Sequence, residues 1–199
     1  MTCKQSLGRN NIFTRLISLF VLIIVGTACD MVDSHHPSTK AMHKTVREFK
    51  EEIQERYPLL ATSIREAGTR ETYTHIGIGF QINQTLTKDQ GRALLVDCLE
   101  AFIEKINSTE GLEQYLDPAY FSYDEVSVSV IPMGIDREGL FSPDISIFQY
   151  GHGNIWYYKF NPEDPNRMIG DEKESYKEAY EKAQRYLETH DLQAELRQK

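Results

Sequence analysis

The chain has 199 residues, with 30 acidic side chains against 22 basic ones and a net charge of −8. Its 40% apolar and 11% aromatic content suits a cored globular protein. An acidic chain without a basic stripe excludes nucleic acid as a partner and excludes electrostatic docking on anionic lipid. The three cysteines, Cys3, Cys29 and Cys98, have no metal-ligand spacing, and no intramolecular disulfide is possible in the folded part. No cofactor or metal is expected.

The leading segment has the layout of an export signal. Lys4, Arg9 and Arg15 precede an apolar run from Leu16 to Val25, and no acid occurs before Asp30. The run is shorter than the roughly 20 residues needed to span a bilayer as a helix, so cleavage is expected rather than a permanent span. Gly26, Thr27 and Ala28 are the small residues before the cut, and Cys29 follows directly. Gly26-Thr27-Ala28-Cys29 resembles the lipobox of bacterial lipoproteins. The resemblance covers the leader alone and departs from the pattern at Gly26, where that class usually has Leu. It implies cleavage before Cys29, acylation of that cysteine, and a membrane partner held through the lipid. Gly26-x-Ala28 also fits ordinary signal peptidase, which would cut the same bond and leave a secreted protein with a free Cys29. Removing residues 1–28 leaves 171 residues with 19 basic against 30 acidic side chains. The expected organisation is a signal peptide at 1–28, a lipidated tether at 29–38 and one domain at 39–199.

A helix is expected from Ser38 or Thr39, since Met42, Val46, Phe49 and Ile53 form one stripe. Pro58 interrupts it, and Leu59, Leu60 and Ile64 extend the pattern to Gly68, so a kinked helix or two successive helices are expected. Thr72 to Gln84 reads as a strand. Ile76, Ile78, Phe80 and Ile82 face one way; His75, Gly77, Gly79 and Gln81 face the other. Glycines on one strand face mark close approach of a packed element or a ligand. Thr87-x-x-Gln90 is a capping box opening a strongly apolar helix that ends at Asn107 and buries Cys98 as an inert thiol.

The second strand lies within Tyr120 to Ile131, where Val126, Val128 and Val130 alternate with Ser127 and Ser129. Strand three is Ile145 to Tyr150. Gly151-His152-Gly153-Asn154 is a hairpin turn, and strand four is Ile155 to Phe160. Asn161 to Gly170 reads as a loop. A last helix is expected from about Asp171 to His190, followed by an exposed tail. The order α-β-α-β-β-β-α implies an α+β two-layer sandwich, with amphipathic helices on one face of a mixed four-stranded sheet.

If no helix covers the other sheet face, that face is the natural binding surface. Its candidate residues are Gly77, Gly79, His75, Tyr150, His152, Trp156, Tyr157 and Tyr158. Neighbours on a strand face opposite ways, so at most two or three of the four aromatic residues can share that surface. No catalytic motif is present, and His75, His152 and His190 are well separated in sequence. A membrane-tethered binding or protein-interaction domain of the cell envelope is therefore expected, with an envelope protein as a possible partner. The alternatives are an envelope hydrolase without a recognisable motif and a structural role in assembly.

Overall fold

The helical stripe before Pro58 ends where the proline requires, and the chain then turns to strand. In the computed structural model, which describes residues 36–198 apart from positions 70, 135 and 137, helix α1 spans Pro37–Arg56. Its N-cap is His36, and Pro37 occupies the first turn, where a missing N–H costs nothing. The segment after Pro58 is strand β1, Leu59–Gly68, rather than more helix. This corrects the expected helix. Three apolar residues at 59, 60 and 64 fit either period, and only Leu59 among them is buried. The β-branched Thr62 and Ile64 suit an edge strand.

Strand β2, Tyr73–Ile82, pairs antiparallel with β1 and parallel with β3, Val126–Pro132. The crossover between β2 and β3 carries helix α2, Lys88–Ser108, whose Thr87–Gln90 capping box closes as its sequence indicates. The return runs through a 3-10 turn at Glu113–Tyr115. Asn107 fastens it, donating to the Phe121 carbonyl at 2.7 Å and accepting from the Phe121 N–H at 2.9 Å. Strands β4, Ile147–Gly151, and β5, Asn154–Asn161, follow as antiparallel neighbours. The hairpin between them has His152 at φ 50° and Gly153 at φ 72°, the left-handed pair that suits a strand-compatible turn.

Strand β6, Asp164–Ser175, occupies most of the segment expected to be a loop and a helix start. It pairs antiparallel with β5 and completes a six-stranded sheet in sequential order, where four strands were expected. Helix α3 begins later, at Tyr176, behind a second capping box formed by Ser175 and Glu178. The acids at 172 and 174 therefore belong to a strand and not to a first helical turn. The tail folds as helix α4, Leu192–Arg197, and buries Leu192 and Leu196, so it is not the exposed tail expected.

The helices lie on one face of the sheet, giving the α+β two-layer arrangement. Phe49 of α1 packs against Phe102 of α2 at 4.8 Å and against Phe80 of β2 at 6.0 Å, joining helices and sheet in one core. Gly91 lets α2 approach the sheet, because a Cβ there would overlap the buried Phe148 ring. Arg92 of α2 and Glu174 of β6 form an ion pair at 2.5 Å within the core, and Tyr157 donates to the same carboxylate. Lys182 of α3 reaches its second oxygen at 2.5 Å. Among the described residues no helix is long and apolar enough to cross a membrane.

Gly to Ala in a helix interior ordinarily stabilises by about 1 kcal/mol. Gly91→Ala should instead lower the melting temperature, because Phe148 has no room to retreat. Burial alone would raise the Glu174 carboxyl, but hydrogen bonds from Lys182, Tyr157 and Arg92 outweigh it and hold it at about 2 against an ordinary 4.5. Its stabilising share is therefore complete above about pH 4.5 and is lost as pH falls toward 2. In urea unfolding at pH 7, Arg92→Met should cost about 3 kcal/mol, while Arg92→Met with Glu174→Leu should recover most of that loss.

Candidate functional site

Antiparallel and parallel partners that stand opposite each other share a sheet face, so the register defines the surface away from the helices. One row runs Ser63, Gly79, Ser129, Gln149, Trp156 and Lys173, one residue from each strand. A second runs Arg65, Gly77 and Ser127. His75 lies one row further along, opposite Ala67. No described helix packs on this face, and the atoms beside Gly77 and Gly79 come from neighbouring strands: Ser127 and Arg65 at one, Ser63, Ser129 and Thr62 at the other. Serine hydroxyls thus occupy the space that side chains would take at the two buried glycines, and a water-sized space of about 10 Å³ remains among Ser63, Arg65, Gly79, Ser127, Ser129 and Gln149.

Beside this serine-lined strip stands an aromatic pair. Trp156 and Tyr158 are two residues apart on β5, and their rings are parallel within 4° with centroids 6.1 Å apart. Both are half-buried, so part of each ring meets solvent. Lys173 Nζ lies 4.8 Å from the Trp156 ring centre, a cation–π contact across to β6. Arg65 and Lys173 make no ion pair among the described side chains, unlike Lys88, Arg92 and Lys182 around the core network.

The expected candidates divide between the two faces. Gly77, Gly79, His75, Trp156 and Tyr158 share the open face. Tyr150 and Tyr157 belong to the helix-covered core, at 0% and 1% exposure, and are removed from the surface. Alternation requires this split, since each stands one residue out of phase with the open-face positions. Burial raises both hydroxyls, that of Tyr150 to about 12, and Tyr150 donates to the Tyr123 carbonyl at 2.9 Å. His152 is exposed at the tip of the β4–β5 hairpin. Cys29, with the signal peptide and the tether up to residue 35, lies outside the described residues.

His75 and His152, far apart in sequence, come within electrostatic range of one another at this end of the sheet. Desolvation is the main cause that lowers the His75 pKa. The Asp124 backbone and Glu125 oppose the shift, and His152 adds to it. His75 Nε2 is 3.1 Å from Ser127 Oγ, so a neutral ring and a hydroxyl are hydrogen-bonded beside Gly77. On the opposite face Cys98 is fully buried, and burial together with Asp97 raises its thiol far from reactivity.

Sequence reasoning missed Ser63, Arg65, Gln149 and Lys173. The first two were hidden by a helical reading of 59–68, and Lys173 by a helical reading from Asp171. Gln149 was accessible: hairpin pairing about Gly151–Asn154 places it opposite Trp156. No known protein family, no curated protein and no solved structure shows significant similarity to this chain. Assignment of function therefore rests on the chemistry of the chain itself.

In an NMR pH titration His75 should show a midpoint below the ordinary 6.5, and His152→Ala should move that midpoint upward by removing a like charge. A His75 midpoint unchanged in His152→Ala would mean that the two rings do not sense each other.

Proposed function

We propose that this protein is an exported lipoprotein, acylated at Cys29, whose domain binds a partner through the open face of its sheet. The observation that supports a binding role is one-sided packing: the described helices cover one face and leave the serine-lined strip along Gly77 and Gly79 and the Trp156–Tyr158 pair on the other. A sheet with one wet face needs no cover for stability. Parallel aromatic rings with Lys173 over one of them are, however, more than a wet face requires. The tether between Cys29 and Pro37 is seven residues long, which limits the separation of helix α1 from the anchor to about 25 Å at roughly 3.5 Å per residue. The domain would thus work close to the membrane surface.

A second reading, envelope hydrolase, is favoured by one observation, the Ser127–His75 hydrogen bond, which meets the first geometric condition for an activated nucleophile. Under that reading a fluorophosphonate should label Ser127, and His75→Gln should abolish the label. A chain that takes up no label is not a serine hydrolase of this kind.

Metabolic labelling with a fatty acid should mark the native protein and not Cys29→Ser; equal labelling of the two would remove the anchor. For the binding face, a photo-crosslinking residue at Gln149 should capture envelope material, while the same residue at Glu181 on the exposed side of α3 should not. Capture from position 181 alone would move the partner to the helical layer.

A further inference from the structure

The row from Ser63 to Lys173 crosses all six strands. Neighbouring strands are about 4.8 Å apart, so the row is about 24 Å long. Its chemistry changes along that length. At the β1 end lie Ser63 and, one row over, Arg65. In the middle are Ser129 and Gln149, and at the far end Trp156 with Tyr158 and Lys173. Resting on the reading of this face as the binding face, we propose that the row binds an oligosaccharide bearing carboxylate groups. It would lie across the strands, with sugar ring faces on Trp156 and Tyr158 and acid groups toward Arg65 and Lys173.

Four features select this occupant. The site is long and shallow, and small-molecule sites are concave and enclose most of their ligand, so a single small ring would gain little burial here. The side chains of Ser63, Ser129 and Gln149 make no hydrogen bond within the described protein, so they can both donate and accept toward hydroxyl groups. Sugar rings present C–H faces that pack on aromatic rings and a periphery of hydroxyls, which matches an aromatic pair flanked by serines and an amide. The central part of a protein–protein interface is typically more apolar than this row.

Charge selects the acid groups. The chain after residue 28 carries 19 basic against 30 acidic side chains, so a polyanion is repelled from most of its surface. Arg65, one row over at the β1 edge, and Lys173, over the Trp156 ring at the β6 edge, make no ion pair among the described side chains. A guanidinium in this position offers two parallel donors to a carboxylate.

Trp156 is the only tryptophan in the chain, so its emission reports on the site directly. Titration of the detergent-solubilised mature protein with an oligogalacturonate should give a saturable change in that emission. The neutral galacto-oligosaccharide of equal length should bind about tenfold more weakly, and free galacturonic acid should give no response. Arg65→Ala and Tyr158→Ala should each weaken binding about tenfold with unchanged urea unfolding, since Arg65 and Tyr158 lie on the open face outside the core. Equal binding of the neutral and acidic chains overturns the charge selection. No response to any saccharide, with crosslinking from Gln149 retained, overturns the glycan assignment while the binding face stands. Saturable binding that neither variant weakens overturns the binding face as well.

Discussion

The Arg92–Glu174 pair is the interaction on which the layout of the sheet's far half depends. It links the central helix α2 to the edge strand β6, and Lys182 extends the link to α3. Strand β6 offers almost no apolar side chains to the core: around its pairing with β5 it carries Glu172, Lys173 and Glu174. Hydrophobic burial therefore cannot be what draws it into register. A buried carboxylate satisfied by Arg92, Tyr157 and Lys182 can, because leaving any one of these charges alone in the core is expensive. With β6 in place, Lys173 stands across from Trp156 and the open row is complete.

The two faces of the sheet divide its aromatic residues by the simplest rule of strands. On β5, Tyr157 turns inward and takes its place in the ion-pair network, while Trp156 and Tyr158 turn outward and lie parallel. The same alternation on β2 sends Ile76, Ile78 and Phe80 to the core and the glycines to the open side. Bulk at the glycine positions would collide with Ser127 and Ser63 on neighbouring strands, so the absent side chains make room for the serine hydroxyls. Core formation and surface preparation are thus one event, since the register that buries one set of residues presents the other.

The proposed anchor and the proposed binding face complement each other physically. A short lipidated tether would confine the domain near a bilayer, and a ligand that is itself part of the envelope would then be met at high effective concentration. Weak individual contacts, such as those between sugar rings and half-buried aromatic rings, gain most from that arrangement. An acidic surface elsewhere on the domain would discourage non-specific attachment to anionic lipid and would favour the proposed face, with its unpaired Arg65 and Lys173, for an acidic ligand.

The sequence by itself determined the apolar stripe of α1, both sides of the central strand β2, the capping box of α2, the parallel β2–α2–β3 crossover and the β4–β5 hairpin. Each of these is written in short-range periodicity or turn chemistry, which a local reading can detect. It also placed Gly77, Gly79, Trp156 and Tyr158 on one list, though Tyr150 and Tyr157 could be separated from them only by phase. The tertiary structure alone decided that Leu59–Gly68 and Asp164–Ser175 are the two edge strands. Edge strands expose most of their side chains, so they carry little periodic signal, and their pairing is dictated by main-chain partners and by one buried ion pair far away in sequence. Arg65 and Lys173, which frame the open face, lie on those two strands, and for that reason the ends of the site became visible only in the folded chain.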